Sequence, residues 1–317
     1  MTSSETSAAD TSTRPHPAPG DRPTTDELLT AAGLQPRQVR TLVRTALAED
    51  LARGPDVTTL STVPAGTTAT AVAVTRQPGV LAGVPVATAV VEELARRHGT
   101  TVHTEHLAGD GDRVDADTAV LRLHGPVHTV LTAERTLLNL LCQLSGVATA
   151  TAAWVDALAG TTARVRDTRK TVPGLRLLQK YAVRCGGGVN HRMGLGDVAL
   201  VKDNHVAAAG SVTAAFEAVR SHAPQVAVEV ECDTLDQVAE AITAGAELIL
   251  LDNMGIDELR AAVALAAERP GVALEASGGL TLDTAAAVAA TGVDYLAVGA
   301  LTHSAPALDL GLDLTTD

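Results

Sequence analysis

From residue 163 to about residue 298 the chain repeats one unit: a short run rich in Val and Leu, then a longer stretch rich in helix-forming alanine. The runs fall near residues 163–167, 198–202, 226–231, 247–252, 272–276 and 294–298. A helix between successive strands implies parallel neighbours joined by right-handed crossovers. Six such units predict an α/β barrel, complete or open, rather than a flat sheet. Only four residues are aromatic (one Trp, two Tyr, one Phe). The interior therefore has to be Ala, Val and Leu, which suits Ala-rich helices packed on Val-rich strands.

In such barrels the reactive face lies at the carboxyl ends of the strands, and polar residues recur there in register. Arg169 and Lys170 follow the first run, Lys202 closes the second, Glu231 the third and Asp252 the fourth. Ser277-Gly278-Gly279 follow the fifth run, and Val298-Gly299-Ala300 close the sixth. One such residue would be noise; six in register predict a site.

The preceding part is less regular. Residues 1–24 are rich in Ser, Thr and Pro and lack the apolar stretch of a signal peptide, so they read as a disordered tail. Thr25-Asp26 can cap a short helix, and Pro36 suits a first helical turn in a helix running to about Glu49. Residues 67–75 alternate Ala/Val with Thr, as a strand does. After the turn Gln77-Pro78-Gly79 a helix runs to about Arg97. Strands near 101–106 and 118–123 flank the acidic turn Gly109-Asp110-Gly111-Asp112. A long helix begins near Val127, reaches into the 140s and carries Glu134, Arg135 and Asn139. This mixture predicts an α+β domain over residues 25–145, ahead of a barrel domain over 146–303.

Charge then narrows the chemistry. The chain has 24 Lys and Arg against 37 Asp and Glu, a formal net charge of −13. Only three of the cations are lysines: Lys170, Lys180 and Lys202. Residues 164–205 hold nine cations and three acids, Asp167, Asp197 and Asp203, a local excess of six positive charges. Crowded cations repel, so such a cluster implies a polyanionic ligand. The acidic whole and the scarcity of aromatics argue against nucleic acid and membrane surfaces. Cys142, Cys185 and Cys232 are odd in number and lack metal-ligand spacing, which fits free thiols in a reducing, cytoplasmic compartment. No uninterrupted apolar run reaches the ~20 residues of a membrane span.

Each rim residue then suggests a part. Arg169, Lys170, His191, Arg192 and Lys202 fit a ligand with more than one carboxylate or phosphate, since guanidinium forks carboxylates and ammonium acts as a point charge. Glu231 and Asp252 could balance these cations, hold Mg2+ directly or through water, or accept hydrogen bonds from sugar hydroxyls. The two glycine turns, Ser277-Gly278-Gly279 and Val298-Gly299-Ala300, suit a phosphate seat after the last barrel strands. No GxSxG, HExxH or Cys–His nucleophile arrangement is present. Lys202 alone could serve as a Schiff-base nucleophile of an aldolase, but that leaves the other rim charges unexplained. Lys180, within a helical stretch, reads as a structural ion-pair partner.

At this point the residues resemble the quinolinate phosphoribosyltransferase family. The likeness rests on Glu134-Arg135-Thr136-Leu137-Leu138-Asn139, Asp167-Thr168-Arg169-Lys170-Thr171-Val172-Pro173-Gly174 and Lys180-Tyr181-Ala182-Val183. It continues through Gly186-Gly187-Gly188, Asn190-His191-Arg192, Lys202-Asp203-Asn204-His205, Glu229-Val230-Glu231, Leu251-Asp252-Asn253-Met254 and Ser277-Gly278-Gly279. It covers about residues 36–314. The resemblance implies an N-terminal α/β sandwich, rejoined by the segment at about 304–317, and an open TIM-like barrel. It implies conversion of quinolinate and phosphoribosyl pyrophosphate to nicotinate mononucleotide, CO2 and pyrophosphate in de novo NAD synthesis, with Mg2+. It further implies a homodimer or a higher assembly of dimers, with Arg135 donated to the neighbouring subunit.

Carried over by position, Arg135, Thr168, Arg169, His191, Arg192 and Lys202 would bind quinolinate. Lys170, Glu231 and Asp252 would meet the phosphoribosyl pyrophosphate and act in catalysis, with Mg2+ near the two acids. Ser277, Gly278, Gly279, Val298, Gly299 and Ala300 would seat its 5′-phosphate. Ala276 before Ser277, and Pro55 in the Gly54-Pro55-Asp56 turn, depart from the pattern without removing a charge. The alternatives are a nicotinate phosphoribosyltransferase that releases no CO2, and a non-catalytic phosphoribosyl pyrophosphate sensor.

Overall fold

The structure, a computed structural model, describes residues 23–316; nearly all of the predicted tail lies outside the described residues. Helices α1 (Thr25–Ala31) and α2 (Pro36–Asp50) open the chain. Thr24 caps α1 with a full capping box to Glu27, one residue before the predicted cap, and Pro36 opens α2 as expected. After α3 (Val57–Thr62) come β1 (Thr68–Thr75), β2 (Gly79–Val80), α4 (Val84–His98), β3 (His103–His106), β4 (Arg113–Val114) and β5 (Ala119–Pro126). The first sheet is antiparallel, in the order β12-β1-β5-β3, with β12 (Leu310–Thr316) arriving from the far end of the chain. Ala69, Ala71 and Ala73 of β1 point to the buried face, as the period-2 reading requires.

Helix α5 (Val127–Ala157) is longer than the sequence suggested. Its second half, with Ser145, Gly146, Thr149 and Thr151, is poor in intrinsic helicity, and tertiary burial overrides that preference. Leu137, Leu141 and Leu144 are fully buried, each worth about 1.5–3 kcal/mol of transfer free energy. By length and composition α5 could cross a membrane, but 61% of its most apolar window is buried inside the protein, as in a core helix. It passes unbroken through residues 145–146, so both sheets share it.

The second sheet is wholly parallel and matches the six predicted runs. Its strands are β6 (Arg164–Arg166), β7 (Val198–Val201), β8 (Ala227–Cys232), β9 (Leu248–Asp252), β10 (Ala273–Ser277) and β11 (Tyr295–Ala297). Their order is β6-β11-β10-β9-β8-β7. The sequence neighbours β6 and β7 are the two edges, which leaves the barrel open between them. The connecting helices are α6 (Arg176–Cys185), α7 (Asp203–Ala209), α8 (Val212–His222), α9 (Leu235–Ala244), α10 (Ile256–Ala267), α11 (Leu282–Ala289) and α12 (Ala300–His303).

The glycine triplet 186–188 is a packing device. A Cβ on Gly186 would lie 2.3 Å from the carbonyl oxygen of Ala148, so only glycine lets α6 end against α5.

Candidate active site

A cavity of about 390 Å3 opens at the carboxyl ends of the barrel strands. Thr168, Arg169 and Lys170 reach it from the turn after β6, and His191 and Arg192 from the loop that follows α6. Lys202 enters directly after β7, Glu231 from β8, Asp252 from β9 and Ser277 from β10. The fold thus gathers nine predicted residues around one mouth. A larger cavity of about 700 Å3 lies beside α3 and the start of α5, but no Lys or Arg lines it.

The remaining predicted residues stand outside the lining. Gly278, Gly279, Val298, Gly299 and Ala300 follow β10 and β11 at the same end of the barrel. Gly278 has φ +89°, and a Cβ there would meet Asn253 Oδ1 at 2.2 Å, so its backbone approaches the residue that follows β9 as only glycine can. A Cβ on Gly299 would lie 3.0 Å from Lys170 Cδ, placing this turn against the lysine stem. Arg135 is exposed on α5 and does not line the cavity of its own chain.

The charges are held but not neutralised. The Lys202 ammonium pairs with the Glu231 carboxylate, a counterion's place rather than that of a free amine nucleophile. Asp252 accepts a hydrogen bond from Asn253 Nδ2 at 2.7 Å. Arg192 is anchored through Nη1 to the Val198 carbonyl at 3.0 Å, and burial followed by the nearby Arg169 cation lowers its pKa. The Nε of Arg169 is buried without a hydrogen-bond partner among the described residues. A buried donor beside a second guanidinium is a configuration an anion would relieve.

Below this ring lies a second layer that the sequence reading did not single out. Leu200, Leu250 and Glu275 also line the cavity, each two residues before a rim residue (Lys202, Asp252, Ser277) and therefore on the same face of its strand. Glu275 is wholly buried and receives Arg166 Nη1 at 2.6 Å. Burial and the adjacent Glu229 carboxylate push its pKa up to about 7. Glu229, also wholly buried, stands 2.8 Å from His191 Nε2 and 4.0 Å from Arg166 Nη1. The alternation of strand positions was the available signal, since Glu229 shares a strand face with Glu231.

Lys180 is the structural ion-pair partner expected of it. It is 1% exposed, its ammonium pairs with Asp167, and it donates to the His191 carbonyl at 2.8 Å. Asp167 also accepts from Asn190 Nδ2 at 2.6 Å and from the His191 N–H at 2.8 Å. Burial pushes the Asp167 carboxyl up and the Lys180 ammonium down, and their mutual attraction opposes both shifts.

Two family models cover most of the chain: the N-terminal domain of quinolinate phosphoribosyl transferase over residues 56–145, and its C-terminal domain over residues 147–313. Among curated relatives, the carboxylating nicotinate-nucleotide pyrophosphorylase of Mycobacterium leprae is 55% identical over 276 residues, covering 87% of this chain and 96% of that protein. The enzyme of the same name from Homo sapiens is 43% identical over 243 residues, or 75% of this chain and 80% of the relative. The solved nicotinate-nucleotide pyrophosphorylase of Francisella tularensis superposes with a TM-score of 0.81 at 39% identity, covering 88% of this chain and 96% of that one. With both domains matched and the charged rim assembled as its motifs require, the chain belongs to the quinolinate phosphoribosyltransferase family.

Proposed function

We propose that the protein transfers the phosphoribosyl group of phosphoribosyl pyrophosphate to the ring nitrogen of quinolinate and releases CO2 and pyrophosphate, yielding nicotinate mononucleotide for NAD synthesis. One observation carries this reading: Arg169, Arg192 and Lys202, far apart in sequence, converge with Glu231 and Asp252 on one cavity at the barrel mouth. A pyridine with two carboxylates and a ribose with a charged leaving group need these two kinds of charge together.

In this assignment Arg169, Arg192 and Lys202, with Thr168 and His191 beside them, hold the carboxylates and bring the ring nitrogen to the anomeric carbon. The C–N bond forms as the C–O bond to pyrophosphate breaks, through a sugar with oxocarbenium character. Glu231 and Asp252 would stabilise that sugar by their negative charge, and Lys170 would meet the departing phosphates. Oxygen donors on adjacent strands suit Mg2+, so Glu231 and Asp252 would hold the ion, which supplies charge neutralisation at the pyrophosphate. Once the nitrogen is glycosylated, the ring becomes electron-poor. The adjacent carboxylate then leaves as CO2 and its bonding pair takes a proton. Ser277, Gly278, Gly279, Val298, Gly299 and Ala300 would seat the 5′-phosphate with backbone N–H groups.

Arg135 faces solvent in the single chain, and a role in substrate binding requires a second copy. A homodimer with Arg135 inserted into the partner's cavity satisfies both. The test is turnover by purified protein given quinolinate, phosphoribosyl pyrophosphate and Mg2+, with nicotinate mononucleotide as the product. Turnover of nicotinate without CO2 release would favour the sister activity, and binding without turnover would favour a sensor.

A further inference from the structure

The roles above belong to residues at the cavity surface, whereas Glu229 of β8 is wholly buried and outside the cavity lining. Neither of its carboxylate oxygens receives an aligned hydrogen bond from the described residues. A carboxylate stripped of water without donors is strongly disfavoured unless nearby charge or polarity compensates. The groups around it are His191 Nε2 at 2.8 Å, Arg166 Nη1 at 4.0 Å and the second acid, Glu275. Arg166 is committed elsewhere, to Glu275 at 2.6 Å. His191 is therefore the nearest partner of Glu229.

His191 is held at its backbone N–H, its carbonyl and its Nδ1. Its N–H donates to Asp167 at 2.8 Å, and its carbonyl accepts from Lys180 at 2.8 Å. Its Nδ1 accepts the backbone N–H of Arg192 at 2.6 Å. A backbone amide can only donate, so Nδ1 carries no proton and the ring proton sits on Nε2, the atom facing Glu229. Nδ1 is thus occupied within the protein, while Nε2 is turned toward the Glu229 carboxylate at 2.8 Å without an aligned hydrogen bond. The next residue in this line is Arg192, whose side chain enters the cavity.

We propose that Glu229 is a positioning residue: by facing Nε2 it fixes the tautomer and orientation of His191, which in turn seats Arg192 against the acidic substrate. The inference rests on the assignment of the cavity to quinolinate. In this reading His191 acts through Arg192 and the edge of its ring rather than by donating a proton to a substrate carboxylate.

The experiment is a double-mutant cycle read through both Michaelis constants. Glu229→Gln keeps shape while removing charge. It should raise the KM for quinolinate about tenfold or more, the scale of a misplaced binding group, and leave the KM for phosphoribosyl pyrophosphate within about twofold. Glu229→Asp should restore part of the loss. In a His191→Ala background, adding Glu229→Gln should change the quinolinate KM by less than about twofold, because the intermediary is gone. Equal effects in both backgrounds would overturn the inference, as would parallel rises in both KM values. If Glu229→Gln does not unfold cooperatively, Glu229→Asp takes its place in the cycle: its smaller rise in quinolinate KM should likewise vanish in the His191→Ala background. Wild-type protein inactive on quinolinate would instead sink the functional reading, so the two failures are distinguishable.

Discussion

Replacing Arg169 by alanine probes the substrate assignment most sharply. Its Nε is buried without a partner, and its charge lies close enough to Arg192 to disfavour the second guanidinium. In the free protein, removal takes away repulsion and an orphaned donor, so stability should hold or rise slightly. With substrate bound, the variant lacks one desolvated charge contact, worth about 2–5 kcal/mol. At a factor of ten per ~1.36 kcal/mol, kcat/KM for quinolinate should fall by about 30-fold to about 5,000-fold. Arg169→Lys should recover only part, since ammonium keeps the charge but loses the planar fork. Steady-state kinetics with quinolinate varied, beside thermal unfolding of each variant, would measure both halves. A stable Arg169→Ala protein with kcat/KM within about threefold of wild type would refute the assignment, and marked destabilisation would refute the account of its empty donor.

Three further predictions follow from separate parts of the structure. Lys180→Met strands the buried Asp167 carboxylate and should destabilise the fold by about 3–5 kcal/mol in urea titrations, and a loss below about 1 kcal/mol would contradict the buried pair. Glu275 has a folded-state pKa raised to about 7 from 4.5. Its contribution to stability is therefore full below about pH 4.5 and is lost as pH rises toward and through 7. Glu275→Gln should flatten stability across that window, and an unchanged slope would count against the shift. If Arg135 is donated across a dimer, Arg135→Ala and Lys202→Ala proteins, each inactive, should regain about a quarter of wild-type activity when their protomers are exchanged one to one; no recovery despite exchange would place Arg135 elsewhere.

The barrel was legible in the sequence because its strands are buried on both faces and are therefore continuous Val/Leu runs between glycine-containing turns, as in Leu248–Asp252. The rim was legible because strand ends fall in register. The first sheet was less so. Strand β12 alternates polar and apolar residues, and its partner β1 lies more than 200 residues away, a distance local pattern cannot bridge. The buried charges were least visible. Asp167, Glu229 and Glu275 look like surface acids until the fold sets Lys180, His191 and Arg166 against them.

In the proposed reaction one cavity receives both a pyridine diacid and an activated ribose. The most direct measurement is the amount of CO2 released per nicotinate mononucleotide formed when purified protein is given carboxyl-labelled quinolinate with phosphoribosyl pyrophosphate and Mg2+. Equal amounts are expected, dependent on both substrates. Nucleotide formed from nicotinate with no CO2, or no nucleotide from quinolinate at all, would contradict the proposed reaction.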